Sequence, residues 1–472
     1  MAKVYINTAI PYVNGVPHIG HALDYCLADV CARYHRLMGD EVRVSAGTDE
    51  HGNKIQQKAN ELGVPVKQYV DENAAKFKDF ISKLGVEYTD YVRTTDSDHE
   101  RLAQEIWKKL SSHIYKATYD GWYCTGCERY VTKKEYDENH GICPDHNKPY
   151  EEFEEENYYF RISDFKDQIK AAIESKELLI LPDYRAKEML ALLEESPDVS
   201  FSRPTSQLSW GVPIPGDDSQ VMYVWMDALA NYLTVLGYPE KEISDWWPAT
   251  AEFVGKDILR FHSIIWPAML MGLGLPLPKA LVSHGMVLAD GQKMSKSIGN
   301  VVDPLDVINR YGIDGFRYYF LRHIDTFSDS NFTWEKFENA YNNELANDLG
   351  NLVQRLSSMF SKHNIKFLKH NVKFSEQYIE LMNNYEYSKA MDYVWEKIQN
   401  LNRKVDEEKP WMLAKAGEME KLENCLNELG NGVVEVAYEL LPFLPGSAEK
   451  ILAVFGADVT PPSEPLFPKN RE

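Results

Sequence analysis

Long hydrophobic runs are missing from this chain of 472 residues. Its longest uncharged apolar stretch, residues 264–278, is shorter than the roughly 20 residues of a membrane-spanning helix and is interrupted by Pro267, Pro276 and Pro278. Residues 1–15 contain no uninterrupted apolar segment of the kind found in a secretory signal. We therefore expect no membrane partner.

Positive charge and cysteine are also scarce. The chain carries 51 Lys and Arg against 72 Asp and Glu, a formal net charge of −21. Taken alone, this balance argues against a protein that coats nucleic acid or an anionic membrane through a basic surface. The six cysteines, three of them in one cluster, do not suggest a disulfide framework in a chain this long. We expect a reducing, cytoplasmic location.

The chain has enough apolar material, 44% of its residues, for sizeable cores, and its length favours about three domains. In its first half, residues 4–10 and 41–45 are predicted strands, and residues 22–38 between them form a predicted amphipathic helix. This strand–helix–strand order implies a parallel sheet. Further strand patterns occur at residues 220–225, 252–254 and 280–288.

The second half of the chain has a different character. Helical periodicity without strand patterns extends from about residue 339 to residue 454, which predicts a terminal α-helical bundle. After about residue 115, cysteine, glycine, proline and an acidic run interrupt the earlier alternation, as in an inserted module. The predicted boundaries are 1–115 and 211–290 for the two halves of the sheet domain, 116–210 for the insertion, 291–340 for a connector and 341–472 for the all-α domain.

A histidine motif follows the first predicted strand. Two prolines and an Asn-Gly pair in residues 11–17 end the strand, and His18-Ile19-Gly20-His21 opens the predicted helix. The two histidines share one face of the first helical turn, where free N–H groups and the helix dipole favour an anion. Gly20 leaves room for a flat base or ribose. The motif suits ATP phosphates, although alone it is as often a helix start with surface histidines.

A lysine- and serine-rich loop follows the predicted strand at 280–288. After a turn, the sequence reads Lys293-Met294-Ser295-Lys296-Ser297. Two ammonium groups and two hydroxyls suit a triphosphate whose charge must be stabilised as pyrophosphate leaves. Such a loop alone is usually a solvated turn, but together with the histidine motif it forms a specific pair.

Four potential metal ligands form a strong local signal. Cys124 and Cys127, then Cys143 and His146, lie in two short turns within residues 120–150. This spacing suits a tetrahedral Zn²⁺ ion held by three thiolates and one imidazole. Four protein ligands leave no open position, so we predict one structural zinc ion.

The paired motifs resemble those of class I aminoacyl-tRNA synthetases. The resemblance implies an α/β fold whose Rossmann-like parallel sheet binds ATP, with Mg²⁺, at the carboxyl ends of its strands. It also implies that an amino acid is activated as its adenylate and transferred to the 3′-terminal ribose of a tRNA. The implied catalytic and ATP-site residues are His18, Gly20, His21, Lys293, Ser295, Lys296 and Ser297.

Further blocks are similar to the methionyl-tRNA synthetase family across essentially the whole chain. They are residues 9–12, 46–52, 223–232, 253–257 and 283–285. The resemblance implies that L-methionine and tRNA(Met) are substrates and that Asp49 holds the amino acid's ammonium group. Aromatic walls suit an unbranched thioether, because sulfur–aromatic contacts are mildly favourable. The implied methionine pocket consists of Ile10, Tyr12, Trp225, Ala228, Tyr232 and His284.

The same resemblance implies that the terminal bundle binds the anticodon. An aromatic plane can stack an unstacked base while Asn and Arg bond its edges. The implied residues are Asn351, Arg355, Pro410 and Trp411. Residues 349–375 contain no acid, and Arg355 and four lysines in this segment form a basic strip, although a solvated loop would have the same composition. The four lysines are Lys362, Lys366, Lys369 and Lys373.

Two alternatives to this interpretation stay open. One is a sibling class I synthetase for another amino acid, and the other is a catalytically silent tRNA-binding paralogue. Nucleotidylyltransferases with a His-x-Gly-His motif share the phosphate chemistry but would need neither the cysteine cluster nor the bundle. The chain ends soon after the bundle without a dimerising module, so we expect a monomer.

Overall fold

The structure is a computed structural model that describes residues 1–127, 129–289, 291–293, 302–456 and 458–469. Its first region alternates strands and helices, as the sequence predicts. The elements are β1 (Lys3–Thr8), α1 (Ile19–Leu37), β2 (Glu41–Thr48), α2 (Asn53–Leu62), α3 (Val66–Lys83), β3 (Asp90–Arg93) and α4 (Ser97–Lys109).

A mixed, strand-rich region follows α4. Its elements are β4 (Ile114–Cys124), β5 (Arg129–Val131), α5 (Lys133–Glu138), β6 (Glu151–Phe160), α6 (Lys166–Glu174), β7 (Leu179–Leu181), α7 (Asp183–Glu195), β8 (Val199–Ser200), β9 (Ser202–Pro204), β10 (Pro213–Ile214) and β11 (Asp217–Met222). The long β4–β6 antiparallel pair is the centre of a sheet of order β5-β4-β6-β8, and β10-β11-β9 form a second small sheet.

The chain then returns to the first domain. The elements are α8 (Val224–Leu229), α9 (Asn231–Thr234), β12 (Ala251–Gly255), α10 (Trp266–Gly272), β13 (Ala280–His284), β14 (Val287–Ala289), β15 (Gln292–Lys293), α11 (Pro304–Arg322), β16 (Ser330–Phe332) and α12 (Trp334–Ala340). A π-helical turn, Phe261–Ile265, precedes α10.

The carboxy-terminal region contains helices, which confirms the predicted bundle. A π-helical segment, Tyr341–Gly350, leads into it. The helices are α13 (Asn351–Lys362), α14 (Glu376–Asn383), α15 (Tyr387–Glu408), α16 (Pro410–Ala416), α17 (Met419–Leu440) and α18 (Pro445–Val454). None of the helices described has both the length and the apolar character that crossing a membrane requires.

Six parallel strands form the central sheet in the order β3-β2-β1-β12-β13-β7. This confirms the predicted α/β fold class. β7 lies inside the predicted insertion, 116–210, yet it pairs with β13 as the sixth strand of this sheet. The predicted domain boundaries otherwise stay a prediction.

Two strand predictions are partly wrong. The strand predicted at 220–225 ends at Met222, and residues 224–229 form α8. A short apolar run does not distinguish a buried strand from a buried helix. The strand predicted at 280–288 is divided at residues 285–286, so that β13 lies in the central sheet and β14 in a sheet with β15 and β16.

The middle of the central sheet is a topological switch point. β1 and β12 are neighbours, but the chain continues from β1 to β2 on one side and from β12 to β13 on the other. Carboxyl ends of parallel strands share one edge, and a crevice forms where the connections diverge. The segments after β1, β2, β12 and β13 therefore meet at this crevice.

One apolar core joins the sheet to the bundle, from Ile6 on β1 to Trp395 on α15. Arg317 of α11, which is fully buried, lies in this region. Its Nη1 is 2.8 Å from Asp29 Oδ2 on α1, and its Nε and Nη2 donate to the carbonyl oxygens of Phe443 and Pro442 at 2.6 and 3.0 Å. One guanidinium thus connects α1, α11 and the turn between α17 and α18.

Candidate active site

The histidine motif lies at the start of α1, as predicted. His18 is the N-cap residue, and its Nδ1 accepts a hydrogen bond from the Gly20 N–H at 3.1 Å. His21 Nδ1 accepts from the His18 N–H at 3.2 Å, and the two rings stack with centroids 3.8 Å apart. Because both Nδ1 atoms are acceptors, Nε2 carries the proton in each neutral imidazole. The motif therefore presents N–H donors that suit an anion.

His21 is held in its neutral form. Burial, together with the neighbouring His18 and His284, lowers the pKa of His21 well below its usual value. A neutral imidazole donates one hydrogen bond from Nε2 without bringing a charge. Gly20 belongs to the same packing, since a Cβ at this position would lie 3.0 Å from His18 Cε1.

Tyr12 and Asp49 lie side by side beyond β1 and β2. They form an isolated parallel bridge, with the Asp49 N–H donating to the Pro11 carbonyl oxygen at 2.9 Å and the Val13 N–H donating to the Asp49 carbonyl oxygen at 3.2 Å. Asp49 is buried. Ile10, which is half-buried, packs so closely that a Cβ on Gly47 would lie 2.8 Å from its Cγ2.

An aromatic group lies along α8, α9 and the π-helical turn. The Trp225 ring stacks on Phe261 with centroids 3.7 Å apart and an interplanar angle of 13°. His262 meets Trp225 edge to face at 6.2 Å, and its Nε2 is 2.7 Å from the Tyr232 hydroxyl oxygen. Ala228 is buried on α8. The structure thus groups Trp225 and Tyr232 with two residues that the sequence analysis missed, Phe261 and His262.

His262 is neutral and fully bonded. Its Nδ1 is 3.1 Å from the Ile258 carbonyl oxygen, which can only accept, so Nδ1 carries the proton and Nε2 accepts from the Tyr232 hydroxyl. Burial lowers the pKa of His262 to about 4, against smaller opposing contributions from the Ile258 carbonyl and Asp257. Burial also raises the pKa of Tyr232 well above its usual value. These walls are aromatic, polar and uncharged, which suits a thioether better than a charged side chain.

His284 has different neighbours from the aromatic group. It ends β13, its Nε2 lies 3.4 Å from Asp24 Oδ1 on α1, and its Nδ1 lies 2.8 Å from the Gly285 carbonyl oxygen. Burial opposes the charge of His284, but Asp24 and the Gly285 carbonyl outweigh it and raise its pKa.

The sequence signal for His262 was a lone imidazole in an apolar run, Phe261 to Trp266. Such a signal is ambiguous by itself.

The lysine–serine loop begins in a described hairpin. β14 and β15 pair antiparallel, with Leu288 opposite Lys293, and the turn uses Gly291 at φ 75°. The Gly291 N–H donates to Asn331 Oδ1 at 2.7 Å. Ser295, Lys296 and Ser297 lie outside the described residues. For Lys293, only the position of the backbone in β15 is described.

The four predicted metal ligands converge. Their ligand atoms all lie within 4.8 Å of one another. The Cys127 and Cys143 sulfurs are 3.6 Å apart, and His146 Nδ1 is 3.4 Å from Cys127 Sγ and 3.5 Å from Cys143 Sγ. A tetrahedral zinc site with bonds of about 2.3 Å to sulfur and about 2.0 Å to nitrogen would space these pairs by about 3.8 and 3.5 Å. The cluster therefore has the dimensions to hold one metal ion.

Local backbone geometry explains the tight turn that carries Cys124 and Cys127. The Cys127 N–H donates to Cys124 Sγ at 3.3 Å. Gly126 lies against the His146 ring, where any Cβ would clash. The other three cysteines, Cys26, Cys31 and Cys425, are buried, as expected of core residues.

The predicted anticodon residues occupy one end of the bundle. Arg355 Nη1 is 3.2 Å from Asp406 Oδ1 and its Nη2 is 3.3 Å from Asn402 Oδ1, so it joins α13 to the end of α15. α15 stops at a left-handed residue, Lys409, with φ 44°. Pro410 is buried there, whereas Trp411 is 43% exposed and Asn351 is exposed.

Acidic residues of α17 lie beside part of the basic strip. Its four lysines are exposed, but the strip is flanked by acids of α17: Glu423, Glu428 and Glu435 line the groove beside Leu368 and His370. This groove has a volume of about 540 Å³. Lys404 lines the same groove and pairs with Glu428, so charges of both signs lie beside this part of the strip.

Comparison with known proteins places these features in a known class. A family model described as "tRNA synthetases class I (M)" matches residues 4–152 and 146–357. The fold and the site thus define a class I tRNA synthetase.

Individual relatives narrow the class to one family. The chain is 39% identical to the methionine–tRNA ligase of Thermotoga maritima, over 98% of this chain and 77% of the relative, and 41% identical to that of Clostridium acetobutylicum, over 95% and 72%. It is also similar to the Mycobacterium tuberculosis methionyl-tRNA synthetase solved with methionyl-adenylate, with a TM-score of 0.91, 32% identity, and 99% and 100% of the two chains covered. The chain belongs to the methionine–tRNA ligase family, which confirms the predicted family and makes it an aminoacyl-tRNA-forming enzyme.

Proposed function

We propose that the chain joins L-methionine to tRNA(Met) in two steps, using ATP. The observation that carries this proposal is the meeting of three features at one edge of the sheet. They are the N–H-donating histidines of α1, the buried Asp49 carboxylate, and the uncharged aromatic group around Trp225. The sibling synthetase and the silent paralogue have no comparable support.

In the first step, a methionine carboxylate oxygen forms a bond to the α-phosphorus of ATP while the bond to the β-phosphate oxygen breaks. Methionyl-adenylate and pyrophosphate result, without a covalent enzyme intermediate. His18 and His21 donate from Nε2 to phosphate oxygens, and Gly20 allows the nucleotide close approach. Lys293, Ser295, Lys296 and Ser297 stabilise the leaving pyrophosphate. Bound Mg²⁺ offsets phosphate charge.

The second step transfers methionine to the tRNA. A hydroxyl oxygen of the 3′-terminal ribose attacks the methionyl carbonyl carbon, the bond between that carbon and the AMP oxygen breaks, and a phosphate oxygen of the departing AMP takes up the hydroxyl proton. The chain's task is again to orient the reactants.

For the amino acid, we propose that Asp49 pairs with the ammonium group and that six apolar or aromatic residues surround the side chain. We place His262 in the pocket position that the family resemblance gave to His284, because His262 lies beside Tyr232 and Trp225. His284 lies on the α1 side of the site, where its ring contacts Asp24. The proposed side-chain pocket comprises Ile10, Tyr12, Trp225, Ala228, Tyr232 and His262.

For the tRNA, we propose that Trp411 stacks an anticodon base and that Asn351 and Arg355 bond base edges, with Pro410 orienting Trp411. The exposure of Trp411 supports this role. The metal at the cysteine cluster is proposed to be a single structural Zn²⁺ ion that folds the β4–β5 region. We further propose a cytoplasmic location, because a reducing compartment preserves such thiolate ligands. We also propose that the chain is a monomer.

The test is ATP–pyrophosphate exchange with each amino acid in turn, followed by charging of total tRNA. We expect exchange that depends on methionine and charging confined to tRNA(Met). Faster exchange with another amino acid would favour a sibling synthetase. Retained tRNA binding without any exchange would favour a silent paralogue.

A further inference from the structure

A buried carboxylate with an imidazole on each oxygen lies close to the aromatic group. Asp227 of α8 is 1% exposed and follows Trp225 by two residues. Its Oδ2 is 2.8 Å from His51 Nδ1, and its Oδ1 is 2.9 Å from His99 Nε2. His99 Nδ1 is in turn 2.8 Å from Thr234 Oγ1. All three members of this Asp227 network are buried.

The Asp227 network connects two parts of the proposed amino-acid site. His51 belongs to the segment 49–52 and follows Asp49 by two residues, whereas Asp227 shares α8 with Trp225. His99 adds α4 as a third element. Two sequence segments 176 residues apart are therefore joined by one carboxylate.

Other contacts of segment 49–52 point elsewhere. The Glu50 carboxylate receives two hydrogen bonds from Arg93 at 2.7 and 2.8 Å, towards β3. The Trp210 Nε1–H donates to the Glu50 carbonyl oxygen at 2.6 Å. Neither contact involves α8, so the His51–Asp227 hydrogen bond is a direct link between this segment and the helix that carries Trp225.

The Asp227 network also determines the charge of its members. Burial raises the pKa of Asp227, but His51 and His99 outweigh it and bring that pKa to about 2, so Asp227 is ionised at neutral pH. Burial opposes the charge of His51, while Asp227, Glu100 and Glu50 raise its pKa overall. The other ring nitrogen of His51 lies 3.8 Å from Glu100 Oε1. The hydrogen bonds of Asp227 to both imidazoles, and that of His99 to Thr234, make this buried group rigid.

We propose that Asp227 is a positioning residue for amino-acid binding. By holding His51 and His99 together, it sets the distance between Asp49 and Trp225, so that the ammonium group and the thioether are bound at the same time. The inference rests on the proposed function, because it assumes that Asp49 and Trp225 contact the two ends of methionine.

The first test is Asp227→Asn in the full chain. An amide offers one acceptor where the carboxylate offers two, so it cannot accept from both imidazoles. We expect the KM for methionine in ATP–pyrophosphate exchange to rise roughly 30-fold, with kcat and the KM for ATP within about threefold. Glu439→Gln is the matched control, a buried carboxylate in the bundle that receives a hydrogen bond from Lys397 at 2.6 Å, and it should leave the KM for methionine unchanged.

A pair of variants at His99 keeps the test valid if Asp227→Asn does not fold. The amide of His99→Gln can still donate to Asp227, whereas His99→Leu cannot. We expect His99→Gln to retain the wild-type KM for methionine and His99→Leu to raise it like Asp227→Asn. A purely structural role would lower the melting temperature of both variants without this split.

Two inhibitors separate coupling from a general loss of binding. L-Methioninol has both the ammonium group and the thioether, whereas 4-(methylthio)butan-1-ol keeps the thioether and the hydroxyl and lacks only the ammonium group. Asp227→Asn should weaken the first at least tenfold and the second less than twofold. Equal weakening, or a folded variant with an unchanged KM for methionine, would overturn the proposal. Absence of methionine-dependent exchange in the unaltered chain would instead overturn the proposed function and this inference with it.

Discussion

The proposed methionine pocket and the proposed anticodon surface use similar side chains in opposite ways. Trp225 is stacked on Phe261 and half-buried, whereas Trp411 is 43% exposed at a helix junction. The imidazole of His262 has both nitrogens bonded, while Arg355 is held by Asp406 and Asn402 at the bundle surface.

This difference follows from the size of the ligand. A small amino acid has little surface, so its site must supply enclosure and a fixed arrangement of polar groups. A tRNA has a large surface of its own, and an exposed ring is sufficient to stack one of its bases. Changes in the pocket should therefore affect both reaction steps, and changes in the bundle only the tRNA-dependent one.

The largest expected effect is that of Asp49→Asn. Removing the charge that faces a buried ammonium group costs about 4 kcal/mol, so kcat/KM for methionine should fall about 1000-fold. The loss should appear equally in ATP–pyrophosphate exchange and in tRNA charging, with the KM for ATP unchanged. A loss confined to charging would contradict the assignment of Asp49 to the amino-acid site.

The second effect concerns pH and His262. Its folded-state pKa of about 4 lies below its usual value of 6.5, so the unfolded chain binds the proton first. The stability contribution is complete above about pH 6.5 and falls by about 3 kcal/mol as the pH drops towards 4. Urea unfolding between pH 7 and 4.5 should have a shallower pH slope for His262→Gln than for the wild type. Identical slopes would mean that His262 titrates normally.

Trp411→Ala should have an intermediate effect, limited to the tRNA. Loss of one stacked base is worth about 2 kcal/mol, so kcat/KM for tRNA charging should fall roughly 30-fold while exchange stays within twofold. Leu62→Ala, at an exposed apolar position on α2, is the control and should alter neither reaction. A parallel decrease of exchange in Trp411→Ala would remove the contrast between the two regions.

The smallest effect is expected for the basic strip. Lys362 and Lys366 are exposed, so solvent and salt screen their attraction to phosphates, and the double change Lys362→Ala and Lys366→Ala should raise the KM for tRNA only about twofold at low salt. The increase should disappear at high ionic strength. A salt-independent loss would indicate direct base contacts instead of phosphate attraction.

How much could be predicted depended on how local each feature is in the sequence. The metal cluster was predicted residue by residue, because its four ligands lie within one short segment, and the capping histidines of α1 were found for the same reason. The parallel sheet followed from its strand–helix alternation.

Features made by distant segments were not predicted. β7 joins the main sheet from within the predicted insertion, since strand pairing depends on where an edge is free and not on the pattern of three residues. His262 was missed because a lone imidazole in an apolar run is usually a core residue. The Asp227 network brings together three sequence segments, and no local pattern indicates such a meeting.

The buried Arg317 has a consequence for cooperativity. Because it binds Asp29 on α1 and the carbonyls of the turn between α17 and α18 within a continuous core, the sheet domain and the bundle cannot open independently without exposing apolar surface and an unpaired charge. A ligand bound at the sheet edge then adds its binding free energy to the unfolding of the whole unit. Methionine should therefore slow amide hydrogen exchange in α15 and α17, in helices it never touches.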